Sequence, residues 1–269
     1  MLPNSSAIKR EAKKMLTGKW PLGIAAVFVL FSYLMFMSVI YTLLYQFFSS
    51  GIPHTVLVFL VVFFITAIGF PLSLGILRIY RAILCEKDTD LYEVFYYFSS
   101  IKRLAKALQL CFFIVSKLAL IGFLLFLPSL IVNLLSEGKL PVFESGMPIW
   151  FSNLWVFGTF LRGIAVAILI YIALRHYACA YIFIQNDNIS ALEAVLLSTK
   201  VSKVSISNFL GLCVSFLGWL ALSLLAVPIF FTVPYFLMAY TIHCTAAINY
   251  YNRTIKSPTP FSDEMDFDL

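Results

Sequence analysis

Residues 55–77 read TVLVFLVVFFITAIGFPLSLGIL, twenty-three consecutive positions without a charged side chain. An α-helix needs about 20 apolar residues to cross the hydrocarbon core of a bilayer, so this stretch predicts a transmembrane helix. Comparable stretches occur at residues 21–45, 108–132, 154–174, 208–227 and 229–250. The sequence therefore predicts an all-α, polytopic membrane protein with six transmembrane helices.

The composition of the whole chain indicates that lipid is its main solvent. Of the 269 residues, 61% are apolar and 12% are charged, against roughly 45–50% and about 25% in a soluble domain. The mean hydropathy is +0.94. One core of this length could not bury so much apolar surface, and this excludes a water-soluble globular protein.

The basic residues predict how the chain is threaded. The net charge of +6 does not indicate a nucleic-acid partner, because the cations cluster beside the apolar stretches instead of along one face. The segments on one side of the predicted membrane hold sixteen Lys and Arg, whereas the alternate segments hold only Lys139. Cytoplasmic segments carry such an excess, so we expect both termini in the cytoplasm. We expect one six-span domain over residues 1–256 and a disordered acidic tail at 257–269.

The N-terminal segment is amphipathic. Between residues 5 and 19, Ile8, Ala12, Met15 and Leu16 share one side of a helix, as in a helix that lies at the membrane interface. The basic residues expected at that interface are Lys9, Arg10, Lys13 and Lys14. Anionic lipids of the bilayer are the partner that such a cluster would attract.

Two further polar segments carry helix-start signals. Asp90 with Glu93, and Ser190 with Glu193, have the spacing of a capping box, so each pair predicts the start of a short cytoplasmic helix. This order allows an architecture of three units, each an amphipathic helix followed by a two-helix hairpin. The best internal match for such a repeat covers only three residues.

Two cations, Lys117 and Arg162, fall inside the apolar stretches. A cation near the bilayer centre costs about 2.5–3.5 kcal/mol, so it normally faces the protein interior and finds a partner. The predicted spans contain no carboxylate. We therefore predict a candidate intramembrane anion or lipid site lined by Lys117, Arg162 and the carbonyl that Pro128 deprives of its amide partner. The alternative is a shift of register that lets each side chain snorkel to the membrane surface.

Motifs for catalysis, metals and nucleotides are missing from the sequence. The three histidines, His54, His176 and His243, lack the spacing of a zinc site, and no Gly-x-x-x-x-Gly-Lys-Ser/Thr loop occurs. The five cysteines include no Cys-x-x-Cys pair, which argues against a zinc site or a disulfide framework. We expect a protein that is not an enzyme and that uses no metal and no cofactor.

Residue patterns at both ends of the chain point to a family. They comprise Ala12, Lys13, Leu16, Gly18 and Trp20 near the N-terminus, and Tyr177, Tyr181, Ile182, residues 189–194, Ser198, Lys200, residues 215–219, Pro234 and Tyr235. On these residues the chain resembles the bacterial integral membrane family catalogued as domain of unknown function 975. It departs from the family at Gln185-Asn186-Asp187-Asn188, where an Asp-Asn-Pro-like turn is usual. The resemblance implies a six-helix protein of the bacterial inner membrane, distantly similar to the membrane-domain part of glycerophosphodiester phosphodiesterases.

Two functional classes stay open at this point. The first is a non-enzymatic membrane binding or organising protein that engages lipids, a membrane protein partner or a second copy of itself. The second is a transporter of a small anionic or lipidic solute, which the prolines inside the spans and the two intramembrane cations would favour. A transporter requires a continuous polar path through the bundle, whereas an organising protein does not.

Overall fold

A computed structural model describes residues 2–48, 54–136, 154–223 and 228–254. Throughout these ranges every regular element is a helix. The elements are α1 (Ser5–Leu16), α2 (Trp20–Phe48), α3 (His54–Leu84), a 3₁₀ helix η1 (Leu91–Ser99), α4 (Ile101–Ser136), α5 (Leu154–Leu174), α6 (Cys179–Gln185), α7 (Ala191–Ser215), α8 (Leu217–Ser223) and α9 (Ile229–Thr254). The predicted acidic tail at 257–269 and most of the segment between the predicted spans 108–132 and 154–174 lie outside the described residues.

The long helices confirm an all-α, polytopic membrane protein. Five candidate spans are long and apolar enough to cross a bilayer, and the fourth, Val156–Gln185, covers most of α5 together with α6. A sixth span results if α7 and α8, which meet at a bend of 42°, are counted together. The proline inside α3, α4 and α9 interrupts none of these helices.

The chain divides into two compact units. One comprises Met1–Cys111 and Ala178–Leu269, and the other comprises Phe112–Tyr177. The first unit contains α1 to α3, η1, the start of α4 and α6 to α9, whereas the second contains the rest of α4 together with α5. The expectation of one domain over residues 1–256 stays a prediction.

Helix α1 packs into the first unit with the face that we expected at the membrane interface. Ile8, Ala12 and Leu16 are 2%, 0% and 0% exposed, and they share a core cluster with Tyr80 of α3 and Met238 of α9. The apolar stripe on α1 is therefore covered by protein. An amphipathic pattern shows only that one face of a helix leaves water, and protein and lipid satisfy it equally well.

The two predicted capping boxes behave differently. Ser190 accepts a hydrogen bond from the Glu193 amide at 3.2 Å, and Glu193 accepts one from the Ser190 amide at 3.0 Å, which confirms that box. The helix that it starts is not short, because α7 continues for 25 residues to the bend before α8. Asp90 makes no side-chain cap, and the element after it is the 3₁₀ helix η1. Here the expected capping box is wrong, because the Glu93 side chain pairs with Arg78 of α3.

Candidate functional site

The 3₁₀ helix η1 has three distinct faces, because three residues per turn place every third residue on the same line. Val94 and Tyr97, which form the face towards the core, are 0% and 3% exposed. The backbone of Val94 comes so close to α3 that a Cβ atom on Gly75 would lie 2.0 Å from the Val94 carbonyl oxygen. Glycine at position 75 is thus what allows η1 to lie directly on α3.

The second face of η1 carries Glu93, Tyr96 and Ser99 towards a cluster of charges. Glu93 accepts a hydrogen bond from the Nε of Arg78 at 3.3 Å. The Arg78 guanidinium also stacks on the ring of Tyr96, 3.5 Å from its centroid. Arg103 of α4 lies 4.2 Å from the centroid of the same ring and donates to the Ser99 hydroxyl at 2.8 Å. Tyr96 is therefore held between elements by two guanidinium groups.

Asp187, in the connection between α6 and α7, completes the cluster. Its carboxylate accepts from Arg78 at 3.1 Å and from the Tyr96 hydroxyl at 3.1 Å. Its main-chain carbonyl accepts from the ammonium of Lys106 at 3.1 Å. Elements α3, η1 and α4 of the first unit are thus joined at this residue.

These residues surround a cavity of about 270 Å³, which we call the basic pocket. Its lining residues are Tyr96, Tyr97, Lys102, Arg103, Lys106, Phe183 and Asp187. Lys102, Arg103, Lys106 and the adjoining Arg78 supply four positive charges, against the two carboxylates of Glu93 and Asp187. Because Glu93 and Asp187 are both paired to Arg78, the exposed cations of α4 give the pocket an excess of positive charge.

The two tyrosines at the pocket stay protonated at neutral pH. Burial raises the pKa of Tyr97, although the neighbouring Arg78 acts in the opposite direction. Burial also raises the pKa of Tyr96, against the opposing effect of Arg78 and Arg103. Both hydroxyl groups therefore remain neutral hydrogen-bond donors. The Tyr96 hydroxyl is used by Asp187, so the charged groups that suit the oxygen atoms of a phosphate or a carboxylate here are those of the lysine and arginine side chains.

A second cavity of the first unit, of about 390 Å³, has a different chemistry. Its polar lining is mostly carboxamide, with one carboxylate and an apolar floor. The lining residues are Ile182, Gln185, Asn186, Asn188, Ile189, Glu193, Leu197, Ile248, Asn249 and Asn252. None of these lining residues is a lysine or an arginine, so the cavity offers no cation for an anion to pair with.

The structure does not bring Lys117 and Arg162 together. Within the second unit, the Lys117 ammonium donates to Nε2 of His176 at 2.9 Å, and His176 donates from Nδ1 to the Ile172 carbonyl at 2.8 Å. Arg162 lies 14 residues before His176, about 21 Å along a helix axis, and donates to the Thr159 hydroxyl at 3.5 Å. Lys117 thus has a neutral histidine as its partner, and one small site lined by both cations does not form.

The predicted basic residues of α1 divide into two groups. Lys9 turns into the protein, where its ammonium binds the Ser215 carbonyl at the end of α7 and lies 4.7 Å from the centroid of the Phe216 ring. Arg10, Lys13 and Lys14 remain exposed. Lys9 is therefore a packing residue at the α7–α8 bend, and contact of the other three with lipid stays a prediction.

The basic pocket was not predicted from the sequence, because its cations were used only to assign the orientation of the chain in the membrane. Arg78, Lys102, Arg103 and Lys106 belong to the charge-rich segments that predict orientation. A pattern that could have indicated it was present in residues 93–99, where the polar residues Glu93, Tyr96 and Ser99 stand three positions apart, as on one face of a 3₁₀ helix. Asp187 carried no signal, because only the fold places it beside Arg78.

No group of three or more His, Cys, Asp or Glu residues in the described part of the chain could hold a metal ion. The arrangement of the basic pocket can bind and orient an anion.

Residues 1–257 match the family model described as "Protein of unknown function (DUF975)", and the chain belongs to this family. No curated protein and no solved structure matches the chain.

Proposed function

We propose that this member of the DUF975 family is a non-enzymatic membrane binding or organising protein that holds the phosphate group of anionic lipids in its basic pocket. The observation that carries the proposal is the cavity beside Tyr96, where Lys102, Arg103 and Lys106 converge within the first unit. A pocket of lysine and arginine between membrane helices is a recurring solution for lipid phosphates. No catalytic group is needed for this role.

The charge asymmetry supports a cytoplasmic position for the pocket. The segments that carry Lys102 and Asp187 belong to the side with sixteen Lys and Arg, so we place the pocket at the cytoplasmic face of a bacterial inner membrane, with both termini on that side. The distant similarity to the membrane-domain part of glycerophosphodiester phosphodiesterases belongs to the same proposal. It would fit a site for a phosphate that is esterified to glycerol.

The test compares two double variants of the full chain in lipid nanodiscs. Lys102→Gln with Lys106→Gln removes two cations of the pocket. Lys200→Gln with Lys203→Gln removes two exposed cations of α7 and serves as the matched control. Each cation near an anionic headgroup contributes about 1 kcal/mol, so the pocket variant should bind phosphatidylglycerol about 30-fold more weakly.

Native mass spectrometry reports which lipids stay bound. We expect wild type and control to retain phosphatidylglycerol over phosphatidylcholine, and the pocket variant to lose this preference. In a second arm, inorganic phosphate is added to the protein in neutral detergent. Displacement of the lipid by millimolar phosphate would show that the pocket takes a free anion. Equal retention of phosphatidylglycerol by both variants would refute the pocket as the binding site.

The transporter alternative draws on one observation, the bend of 42° between α7 and α8. Broken helices in transporters expose backbone groups that coordinate the solute. Here the Ser215 carbonyl at the bend binds the Lys9 ammonium, and Tyr235 donates to the Lys9 carbonyl at 3.1 Å. A contact within the protein therefore already uses the Ser215 carbonyl at the bend, and we prefer the binding role.

A further inference from the structure

The third face of η1 is apolar and exposed. Tyr92, Phe95 and Phe98 follow one another at every third position of η1, and Ile101 at the start of α4 is exposed as well. Their exposed fractions are 80%, 42%, 37% and 86%. The rings of Tyr92 and Phe95 lie 6.3 Å apart, and those of Phe95 and Phe98 lie 6.5 Å apart. The three rings form one continuous surface, which we call the aromatic ridge.

The ridge exists because the segment is a 3₁₀ helix. With three residues per turn, positions 92, 95 and 98 stay in line, while Val94 and Tyr97 stay in line on the buried face. In an α-helix of 3.6 residues per turn, residues three apart would drift by about 60° at each step. The same segment then could not keep the buried, polar and apolar faces separate over nine residues.

The ridge is tethered next to the membrane. Only Ser100 separates η1 from α4, whose candidate span begins at Ile101. The predicted apolar stretch of α4 starts at Leu108, seven residues later and about 10 Å along the helix axis. This distance places Ile101 outside the hydrocarbon core, near the outer edge of the headgroup region. Aromatic side chains accumulate at that level of a bilayer.

We propose that the aromatic ridge inserts into the membrane interface and anchors η1 there, with the bilayer itself as the partner of this surface. Charge complementarity favours the bilayer over a second copy of the chain. Lys102, Arg103 and Lys106 follow the ridge directly. Anionic headgroups attract these cations, whereas a second copy would bring the same three cations against them.

This inference goes beyond the lipid-phosphate function and does not depend on it. The ridge and the basic pocket are different faces of η1, so the ridge can lie in the interface whether or not the pocket holds an anion. If both hold, the ridge sets the pocket at headgroup level and favours a lipid over a soluble anion as its occupant.

The test uses spin labels on the full chain in vesicles of phosphatidylglycerol and phosphatidylcholine. The five native cysteines are replaced, and a single cysteine is introduced by Phe95→Cys on the ridge or by Asp88→Cys in the exposed connection before η1, as the matched control. The collision rate of the spin label with apolar oxygen is compared with its collision rate with a water-soluble nickel chelate. We expect the oxygen-to-nickel ratio to be several-fold higher at position 95 than at 88.

Two results would overturn the inference. Equal ratios at positions 95 and 88 would place the ridge in water. Spin–spin broadening at position 95 that disappears on dilution with unlabelled protein would assign the ridge to a second copy. Should the cysteine-free chain fail to fold, Phe95→Trp in the natural background gives an independent measurement. Brominated lipid should then quench the added emission, and an unquenched signal would equally overturn the inference.

Failure of this inference and failure of the lipid-phosphate proposal are distinguishable. The ridge experiment reads membrane depth at position 95, whereas the pocket experiment reads retained lipid after Lys102→Gln with Lys106→Gln. A ridge in water with selective lipid retention would refute the anchor alone. A buried ridge without selective retention would refute the pocket alone.

Discussion

The substitution Gly75→Ala examines the contact on which the basic pocket depends. In the structure, a Cβ atom at position 75 would lie 2.0 Å from the Val94 carbonyl oxygen, 2.6 Å from its carbonyl carbon and 2.9 Å from its Cα. All three atoms are backbone, so no rotation of a side chain can relieve the overlap. Since carbon–oxygen contacts need more than 3 Å, η1 must move away from α3 by about 1 Å or more.

Overpacking of this kind costs about 1–3 kcal/mol, and at this chain length each kcal/mol lowers the melting temperature by about 2–4 °C. The same displacement carries Glu93 and Tyr96 away from Arg78. Gly75→Ala should therefore lower both the melting temperature and the retention of phosphatidylglycerol. The matched control is Gly163→Ala in α5, where an added Cβ meets nothing within 4 Å.

Unfolding can be followed with a thiol-reactive dye, because Cys111, Cys179 and Cys244 are buried in the folded protein. The control should melt at the temperature of wild type or above it, since alanine has a higher helix propensity than glycine. The prediction is wrong if Gly75→Ala melts within about 1 °C of wild type and retains lipid normally. That outcome would mean that η1 does not lie on α3 as described.

Two further predictions concern the second unit and the threading of the chain. His176→Phe removes the acceptor of the Lys117 ammonium and should lower the free energy of unfolding by about 1–3 kcal/mol. Adding Lys117→Leu to this variant should restore most of the loss. If thermal unfolding shows that the losses of the two substitutions add, the two residues do not interact. A cysteine introduced at Ser100 on a cysteine-free background should resist a membrane-impermeant reagent in intact cells, and one at position 145 should react; the reverse result would invert the topology.

The membrane architecture could be predicted from the sequence because a spanning helix depends only on the residues within its own stretch. A run such as 55–77 must form its own hydrogen bonds in lipid, whatever surrounds it, and only a helix of this length does so. The helix α3 that results covers His54–Leu84. The capping box at Ser190 was predictable for the same reason, because its partners lie three residues apart. The box at Asp90 failed because Arg78, fifteen residues before Glu93, competes for its carboxylate.

The partners of polar and amphipathic residues could not be derived in this way. The sequence shows that Lys117 enters an apolar stretch, yet the acceptor is a histidine 59 residues away. It shows that Ile8 belongs to an apolar stripe, yet the stripe meets the core instead of lipid. In both cases the sequence pattern indicates that a group must leave water or find a partner, but it does not determine which residue, or whether protein or lipid, supplies that partner.

The sequence by itself determined that this chain is an all-helical membrane protein, since the length and composition of each apolar stretch leave no other structure that satisfies its backbone. Only the tertiary structure decided where the charges meet. Asp187 reaches Arg78 across 109 positions of the chain, and Gly75 admits the backbone of Val94. The basic pocket arises from these long-range contacts, whose stabilisation depends on distance in space and leaves no periodic trace along the chain.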